Sequence, residues 1–264
     1  MLQCTQRILR KNSNIKKYTV IHMQTKKLIV LEGNIGAGKS TLLRLIQEQL
    51  PVSIIAEPTD KWQTVAHDEN LLDLFYKDTP RWAYTFQSYA FLTRIQSIME
   101  HIAQHQGSGP FILERSVYCD RFCFAKNCFE AGFMTPLEWN IYKDWFAWLV
   151  ESNHAPKPNG FIYLRVEPDI AYSRIQKRSR SEENGISKGY LQSLHDKHDD
   201  WLVHQKEPCS SIKQVPVLTL NCNDEFEQNI QKQQEHLGRI ALFIEQLGQT
   251  TQPQPTLAVS PAAV

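Results

Sequence analysis

The sequence has no apolar run near the ~20 residues that cross a bilayer. Its longer ones, Leu28 to Leu31 and Phe146 to Val150, have the size of a strand or a helical turn. A chain that spans a membrane by helices is therefore not expected. Charge of one sign is missing too: 29 basic residues face 28 acidic ones, for a net charge of +1. A general nucleic-acid binder is more lopsided, so any electropositive site must be local. The six cysteines, Cys4, Cys119, Cys123, Cys128, Cys209 and Cys222, form no C-x-x-C pair. Cys119, Cys123 and Cys128 sit close together but lack His partners at zinc-ligand spacing. Reduced, mostly buried thiols in a cytoplasmic protein are the expectation.

Acidic residues are absent before Glu32, while Arg7, Arg10, Lys11, Lys16 and Lys17 crowd the first 24 positions. Such a stretch is a mitochondrial transit sequence, a disordered leader, or sequence upstream of a start at Met23; composition does not choose. Charge is absent again from Gly248 to Val264, a stretch of Gln, Thr, Pro and Ala that reads as a disordered tail. Residues 1–25 and 248–264 are thus set apart from a single domain over 26–247.

What is present is ordinary for a globular α/β core: 264 residues, 42% hydrophobic and 22% charged. Strand and helix patterns alternate. Lys27 to Leu31 is a short buried strand, and Lys39 to Leu50 is an amphipathic helix that stops at Pro51. Strands at Val52–Ala56, Phe111–Leu113, Phe161–Val166 and Val215–Leu220 make five in all. Helices are predicted at Leu71–Tyr76, Trp82–His105, 120–131, 136–152, Pro168–Arg178, Lys188–Gln205 and Glu225–Leu247, with Thr135 and Pro136 as N-cap and first residue of one of them. This alternation predicts a parallel sheet with helices on both faces.

Gly33-Asn34-Ile35-Gly36-Ala37-Gly38-Lys39-Ser40 matches G-x-x-x-x-G-K-[ST], with a strand before it and a helix after. Glycines let the backbone bring its N–H groups against phosphate oxygens, and the helix N-terminus adds partial positive charge. Lys39 supplies a full charge to a triphosphate and Ser40 a hydroxyl to magnesium. The loop predicts triphosphate binding but leaves the reaction open.

Glu57 follows the second strand and Glu114-Arg115 follows the third. Ligands of an open parallel sheet bind beyond the carboxyl ends of its strands, so these residues fall beside the phosphate loop. Arg174 and Arg178 share a helix face, and Arg180 continues into the polar loop Ser181 to Gly185. Clustered arginines there read as a lid closing on phosphates, against the alternative of a solvated charge run. Phe86 with Gln87 combines a stacking face with an amide that can read the edge of a flat base.

Taken together these segments resemble the deoxynucleoside kinases, and within them the deoxycytidine and deoxyguanosine kinase branch. The resemblance runs from about Lys26 to Leu247. It rests on Glu32 to Thr41; Glu57-Pro58 with Trp62; Arg81-Trp82 with Thr85 to Tyr89; Glu114 to Tyr118 with Asp120-Arg121; Glu138-Trp139 with Tyr142 and Asp144-Trp145; and the Arg-rich lid with Glu182-Glu183. It implies a P-loop NTPase-type three-layer fold with a five-stranded parallel sheet and an Arg-rich lid. It implies transfer of the γ-phosphoryl group of ATP, or another triphosphate, to the 5′-hydroxyl of a deoxynucleoside, with Mg2+ as cofactor, in nucleotide salvage. Glu57 would be the base, with Arg115 beside it and Lys39 on the phosphates. Gly33 through Thr41 with Arg174, Arg178 and Arg180 would bind ATP, and Asp224 and Phe226 would border its base. Ser40 and Glu114 would hold magnesium. Tyr76 and Glu183 would bind the sugar 3′-hydroxyl. Gln87 would pair with the acceptor base between Phe86 and Phe124, near Trp62, with Arg94 and Asp120 at the polar end of its pocket. An Asp at position 120 favours deoxycytidine or purine deoxynucleosides, since the thymidine-accepting branch has a small apolar residue there. The resemblance also implies a homodimer through the long helices. Thr59 and Phe75 depart from the branch, and the three clustered cysteines are no signature of it. Two other readings remain: a thymidylate-type nucleoside monophosphate kinase, and a non-catalytic kinase-like subunit.

Overall fold

The computed structural model describes residues 27–249, except 66–68, 106–108, 152–154, 184 and 207–208. Sequence expectations for the two ends, 1–25 and most of 248–264, therefore lie outside the described residues. The strands are β1 (Leu28–Gly33), β2 (Ser53–Ile55), β3 (Phe111–Glu114), β4 (Gly160–Arg165) and β5 (Val217–Asn221), all paired in parallel in the order β2-β3-β1-β4-β5. β1 is therefore central, and all six of its residues are buried. That is why it reads as an unbroken apolar run rather than an alternating one.

Side chains still alternate in direction, and each face meets its own core. Leu28, Val30, Phe111, Leu113, Phe161 and Tyr163 point into one cluster; Ile29, Leu31, Ile112, Ile162 and Leu164 point into the other. The second core is closed by α1 (Lys39–Gln49) and α10 (Ile230–Gln249), through residues such as Leu42, Ile46, Ile240 and Phe243. The first is closed by α2 (Thr59–Gln63), α3 (Leu71–Lys77), α4 (Thr79–Gln104), α5 (Val117–Cys119), α6 (Ala125–Glu130), α7 (Pro136–Phe146) and α9 (Lys188–His198). α8 (Pro168–Arg178) crosses the rim beside the loop after β1. The result is the expected three-layer α/β fold.

Several boundaries differ from the sequence pattern, each for a local reason. The span 120–131 is not one α-helix: a π-helical turn, Asp120–Phe124, separates α5 from α6. π turns also follow α7 at Ala147–Glu151 and α9 at Asp199–Val203, where periodicity alone predicts continuous helix. The closing helix begins at Ile230 rather than Glu225 because Glu225 folds back to accept from Gln228 N at 3.1 Å and Asn229 accepts from Lys232 N, also at 3.1 Å. The short α2 carries no sequence signal strong enough to predict it. α7 opens as expected: Thr135 Oγ1 accepts from Glu138 N at 3.2 Å, and Glu138 returns the bond to Thr135 N at 2.8 Å.

Candidate active site

The sheet order reverses direction about β1, so the loops after β1, β2 and β3 open on one crevice. The loop after β1 wraps around its own lysine. Lys39 Nζ donates to Gly33 O at 3.1 Å and to Asn34 O at 2.9 Å. Asn34 is spent on the loop's own support: its Nδ2 donates to Leu191 O at 2.9 Å, and its Oδ1 accepts from Ile35 N at 2.8 Å. Gly36 and Gly38 both have positive φ, +78° and +94°. A Cβ on Gly36 would lie 2.5 Å from Ala171 O, so a side chain is excluded by contact as well as by backbone shape.

At the end of β2, Glu57 is clamped by two guanidinium groups. Arg94 Nη2 lies 2.9 Å and Arg115 Nε 3.1 Å from Glu57 Oε1. Both bonds end on one oxygen, which leaves Oε2 for another partner. Burial works to raise the Glu57 pKa, but Arg115, Arg94 and Lys39 outweigh it and hold the carboxyl down at about 2. Arg94, on α4, is itself buried and bidentate on Asp120, with Nε 2.8 Å from Oδ2 and Nη2 3.1 Å from Oδ1. Four alternating charges, Asp120, Arg94, Glu57 and Arg115, thus run in a line through the protein. The sequence reading paired Arg94 with Asp120 but missed its bond to Glu57.

Arg115 holds its place through an unusual backbone. Its φ is +60°, and its N–H donates to Leu31 O at 2.9 Å, continuing the β1–β3 ladder one residue past the strand. The guanidinium lies over the Phe124 ring at 4.5 Å. A left-handed residue at the end of a catalytic-side strand turns the chain sharply, and such strain is retained where surrounding bonds enforce it. Beside it, Ser40 Oγ donates to Glu114 Oε1 at 3.3 Å, and Glu57 N donates to Glu114 Oε2 at 3.4 Å.

These groups line a cavity of about 300 Å³. Its floor is Ile35 to Thr41; its far end is aromatic and amide, with Trp62, Tyr76, Phe86, Gln87 and Phe124. Gln87 is buried, and neither its Oε1 nor its Nε2 has a hydrogen-bond partner among the described residues. A buried primary amide left wholly unpaired is costly, which marks it as waiting for a polar ligand. Phe86 stacks on Phe75 at 4.6 Å and meets Trp62 edge-on, while Trp62 Nε1 donates to Thr93 at 2.9 Å. Thr59 and Phe75, the two departures from the branch, also line the cavity, as do Leu72 and Ala90, which escaped the sequence reading because apolar helix faces look alike wherever they point.

The lid closes the other side. Arg178 pairs with Glu183, its Nε at 2.8 Å from Oε2, and Arg180 Nη1 stands 3.9 Å from Glu183 Oε1. Burial, then the nearby Glu183 charge, push the Tyr76 hydroxyl well above its ordinary pKa. Arg178, Arg180 and Glu183 all reach the cavity. Arg174 does not: its Nη2 grips the carbonyls of Cys222, Asn223 and Asp224 at 2.9, 3.2 and 3.0 Å. Asp224 pairs with Lys232 at 3.4 Å, and Phe226 is buried against Gly38 and the His236 ring. Of these, Phe226 packs directly against the phosphate loop, while Asp224 stays largely exposed.

A glycine-cradled lysine opposite a guanidinium-clamped carboxylate suits a P-loop phosphotransferase. The comparisons with known proteins agree. The sequence model described as deoxynucleoside kinase matches residues 29–245. A probable deoxycytidine kinase of Fowlpox virus is 40% identical over 236 residues, 89% of this chain and 96% of that one. Deoxycytidine kinase 2 of Gallus gallus is 38% identical over 237 residues, covering 82% and 89%. The mitochondrial deoxyguanosine kinase of Xenopus laevis is 37% identical over 242 residues, covering 84% and 91%. The chain belongs to the deoxynucleoside kinase family, and it is an ATP-dependent deoxynucleoside kinase.

The lysine gives a pH signature. Burial, and then Arg115, lower the Lys39 pKa to about 8, against the opposing pull of Glu57 and Glu114. A bound triphosphate favours the charged form, so binding takes up a proton wherever the free enzyme has lost it. Donor affinity should therefore fall as pH rises through about 8, by up to about tenfold per unit. Calorimetric titration between pH ~7 and ~9.5, in two buffers of different ionisation heat, checks both the slope and the proton uptake; a flat profile would contradict the assignment.

Proposed function

We propose that the acceptor's 5′-hydroxyl faces Glu57 Oε2 and that its base occupies the aromatic end of the cavity against Gln87. The observation that carries this reading is the buried, unpaired Gln87 amide across one cavity from the clamped Glu57. Phe86 and Phe124 offer the stacking faces. Tyr76 and Glu183, which also line the cavity, are suited to the sugar 3′-hydroxyl. Lys39 and the loop N–H groups take the donor phosphates, and Arg178 and Arg180 close over them. The Ser40 hydroxyl and Glu114 carboxylate are adjacent hard oxygen donors and fit Mg2+, which when bound neutralises charge on the triphosphate.

In the reaction the 5′-oxygen attacks the γ-phosphorus, the bond to the leaving diphosphate breaks, and the hydroxyl proton passes to Glu57. A carboxylate held near 2 is a weak base. It suffices because, in a loose transition state, the alcohol becomes acidic only as its bond to phosphorus forms. Arg115 stays on Oε1 throughout and is placed to share charge with the transferring group. A nucleoside monophosphate kinase reading lacks support here, since the clamped carboxylate would repel an acceptor phosphate. The retained Lys39, Glu57, Arg115 and Arg178 argue against a non-catalytic subunit. Glu57→Gln should leave donor binding intact and lower kcat by about 10²–10⁴-fold. Steady-state kinetics with separately measured donor binding will show it; near-normal turnover would remove Glu57 from this role.

The base preference rests on Asp120. Its carboxylate and Arg94 present acceptors and donors at the base end of the cavity, which suits cytosine or a purine better than thymine. The relatives' names, deoxycytidine and deoxyguanosine kinase, point the same way. Deoxycytidine, deoxyadenosine, deoxyguanosine and thymidine assayed side by side should place thymidine last. Asp120→Ala should raise thymidine's relative kcat/KM. An unchanged ranking would count against the pocket.

A homodimer through α4 and α7 is the quaternary reading. Both helices leave large apolar side chains exposed: Leu92 and Met99 on α4, Leu137, Ile141 and Trp145 on α7, with Trp148 just beyond. Contiguous exposure of this kind marks an association surface. Light scattering should give twice the chain mass for the wild type and a shift toward the chain mass for Trp145→Glu with Leu137→Glu. A monomeric wild type would refute it.

The kinase unit is assigned to residues 26–247, working in the cytoplasm as part of deoxynucleoside salvage. Among the described residues no helix is long and apolar enough to cross a membrane. A chain cut to 26–247 should keep wild-type kcat/KM, and the full chain carrying a C-terminal fluorescent tag should stay cytoplasmic. Mitochondrial fluorescence that depends on residues 1–25 would make that stretch a transit sequence instead.

A further inference from the structure

Behind Arg115, and outside the cavity, three metal-ligating side chains meet in the core. The Sγ atoms of Cys119 and Cys123 and a ring nitrogen of His198 all lie within 4.8 Å of one another, and all three residues are buried. Spacing along the sequence hides this group, because its histidine comes from α9 rather than from the cysteines' neighbourhood. His198 Nδ1 stands 2.7 Å from Leu194 O. A carbonyl only accepts, so Nδ1 carries the proton and Nε2 keeps its lone pair. That Nε2 is 3.3 Å from Cys119 Sγ. A ring nitrogen fixed by a backbone carbonyl, with the other turned to a thiol, is the arrangement that orients a ligating histidine.

A buried carboxylate stands beyond this group of three. Glu32 is wholly buried at the end of β1, where its Oε1 accepts from Ser116 N at 3.0 Å and Ser116 Oγ at 2.6 Å. Its Oε2 has no hydrogen-bond partner among the described residues, and both Cys119 and His198 are within electrostatic reach. The backbone marks the same place. Cys123 sits in the π turn Asp120–Phe124 directly after Cys119, and a second π turn begins directly after His198. π turns widen a helix locally and concentrate at functional sites.

We propose that Cys119, Cys123 and His198 form a buried three-ligand site for a thiophilic divalent cation of the Zn2+ type, with water in the fourth position. Zn–S bonds of about 2.3 Å and Zn–N bonds of about 2.0–2.1 Å put tetrahedral ligand atoms roughly 3.5–3.8 Å apart; here Cys119 Sγ and His198 Nε2 stand at 3.3 Å and all three atoms lie within 4.8 Å of one another. Two sulfurs exclude Mg2+ and Ca2+, which take hard oxygen donors. A disulfide fits less well. Residues four apart on a helix hold their Cβ atoms about 5–6 Å apart, whereas a disulfide needs about 3.5–4.5 Å. Binding forms two metal–sulfur bonds and one metal–nitrogen bond, with water in the fourth position. The two thiol protons go to solvent. Two thiolates and a neutral imidazole around a dication leave no net charge. Arg115 stands against the site, with Nη1 3.3 Å from Cys119 Sγ. The site would thus brace the guanidinium that also clamps Glu57.

The full chain, stripped with chelator under reductant and titrated with Co2+, tests this. The expected result is one equivalent per chain, with thiolate-to-cobalt charge-transfer absorption and the visible bands of a tetrahedral site, all displaced by Zn2+. Cys119→Ser with Cys123→Ser should abolish both. Cys123→Ser alone should keep a folded chain and about half of the charge-transfer intensity, while His198→Gln should weaken binding by more than the roughly 10–100-fold that losing a ligand's outer partner costs. Cys209→Ser should change nothing. Failure of the wild-type chain to take up cobalt would overturn the site. So would absorption bands that survive the double Ser variant, or a metal-free chain whose Cys119 and Cys123 are joined as a disulfide by mass.

Discussion

The line Asp120–Arg94–Glu57–Arg115 is the interaction on which the site depends. Burying four charges is tolerable only because each sits beside its opposite. Arg94 is the least replaceable member: it is almost fully buried and bonded to both carboxylates. Removing one partner leaves an uncompensated buried charge, a penalty of about 3–5 kcal/mol. The line also joins parts of one cavity: Asp120 and Arg115 both line it, and Arg94 bonds both carboxylates, so a change at Asp120 bears, through one guanidinium, on Glu57.

The fold delivers this line to the phosphate loop with little freedom to spare. β1 is central, and strands on both sides fix its height in the sheet. β3 ends in Glu114 and turns at once through the left-handed Arg115. Glu32, Ser116 and the cysteines pack behind that turn. Polar groups buried this deep are held by one another rather than by water, so they rigidify the strand ends from which the chemistry projects.

Much of this was legible in the sequence, and what was legible has a common cause. The glycine loop announces itself because contiguous residues form it. Glu57, Glu114 and Arg115 were found because each directly follows a strand, and strand ends in a parallel sheet share a side. The five strands and most helices followed from apolar periodicity. What escaped depends on contacts across elements. Nothing in the α4 pattern says that Arg94 reaches Glu57 as well as Asp120. Phe75 looks like any apolar residue until it stacks on Phe86. Arg174 and Phe226 carry chemistry suited to a donor site, yet only the fold reveals that Arg174 bonds the chain after β5 and that Phe226 packs under Gly38. π turns leave no mark on a hydrophobic pattern, so the helices they interrupt read as continuous.

The contact between Gly36 and Ala171 has a mechanical consequence. It seats the first turn of α8 directly on the phosphate loop, with no side chain between them. Farther along, Arg174 bolts the same helix to the chain after β5. α8 is thus a fixed beam, and Arg178 stands at its free end. The beam stops at Ser179, whose φ is +51°. The two arginines that reach the cavity, Arg178 and Arg180, therefore stand on either side of that bend, one carried by the beam and one beyond it.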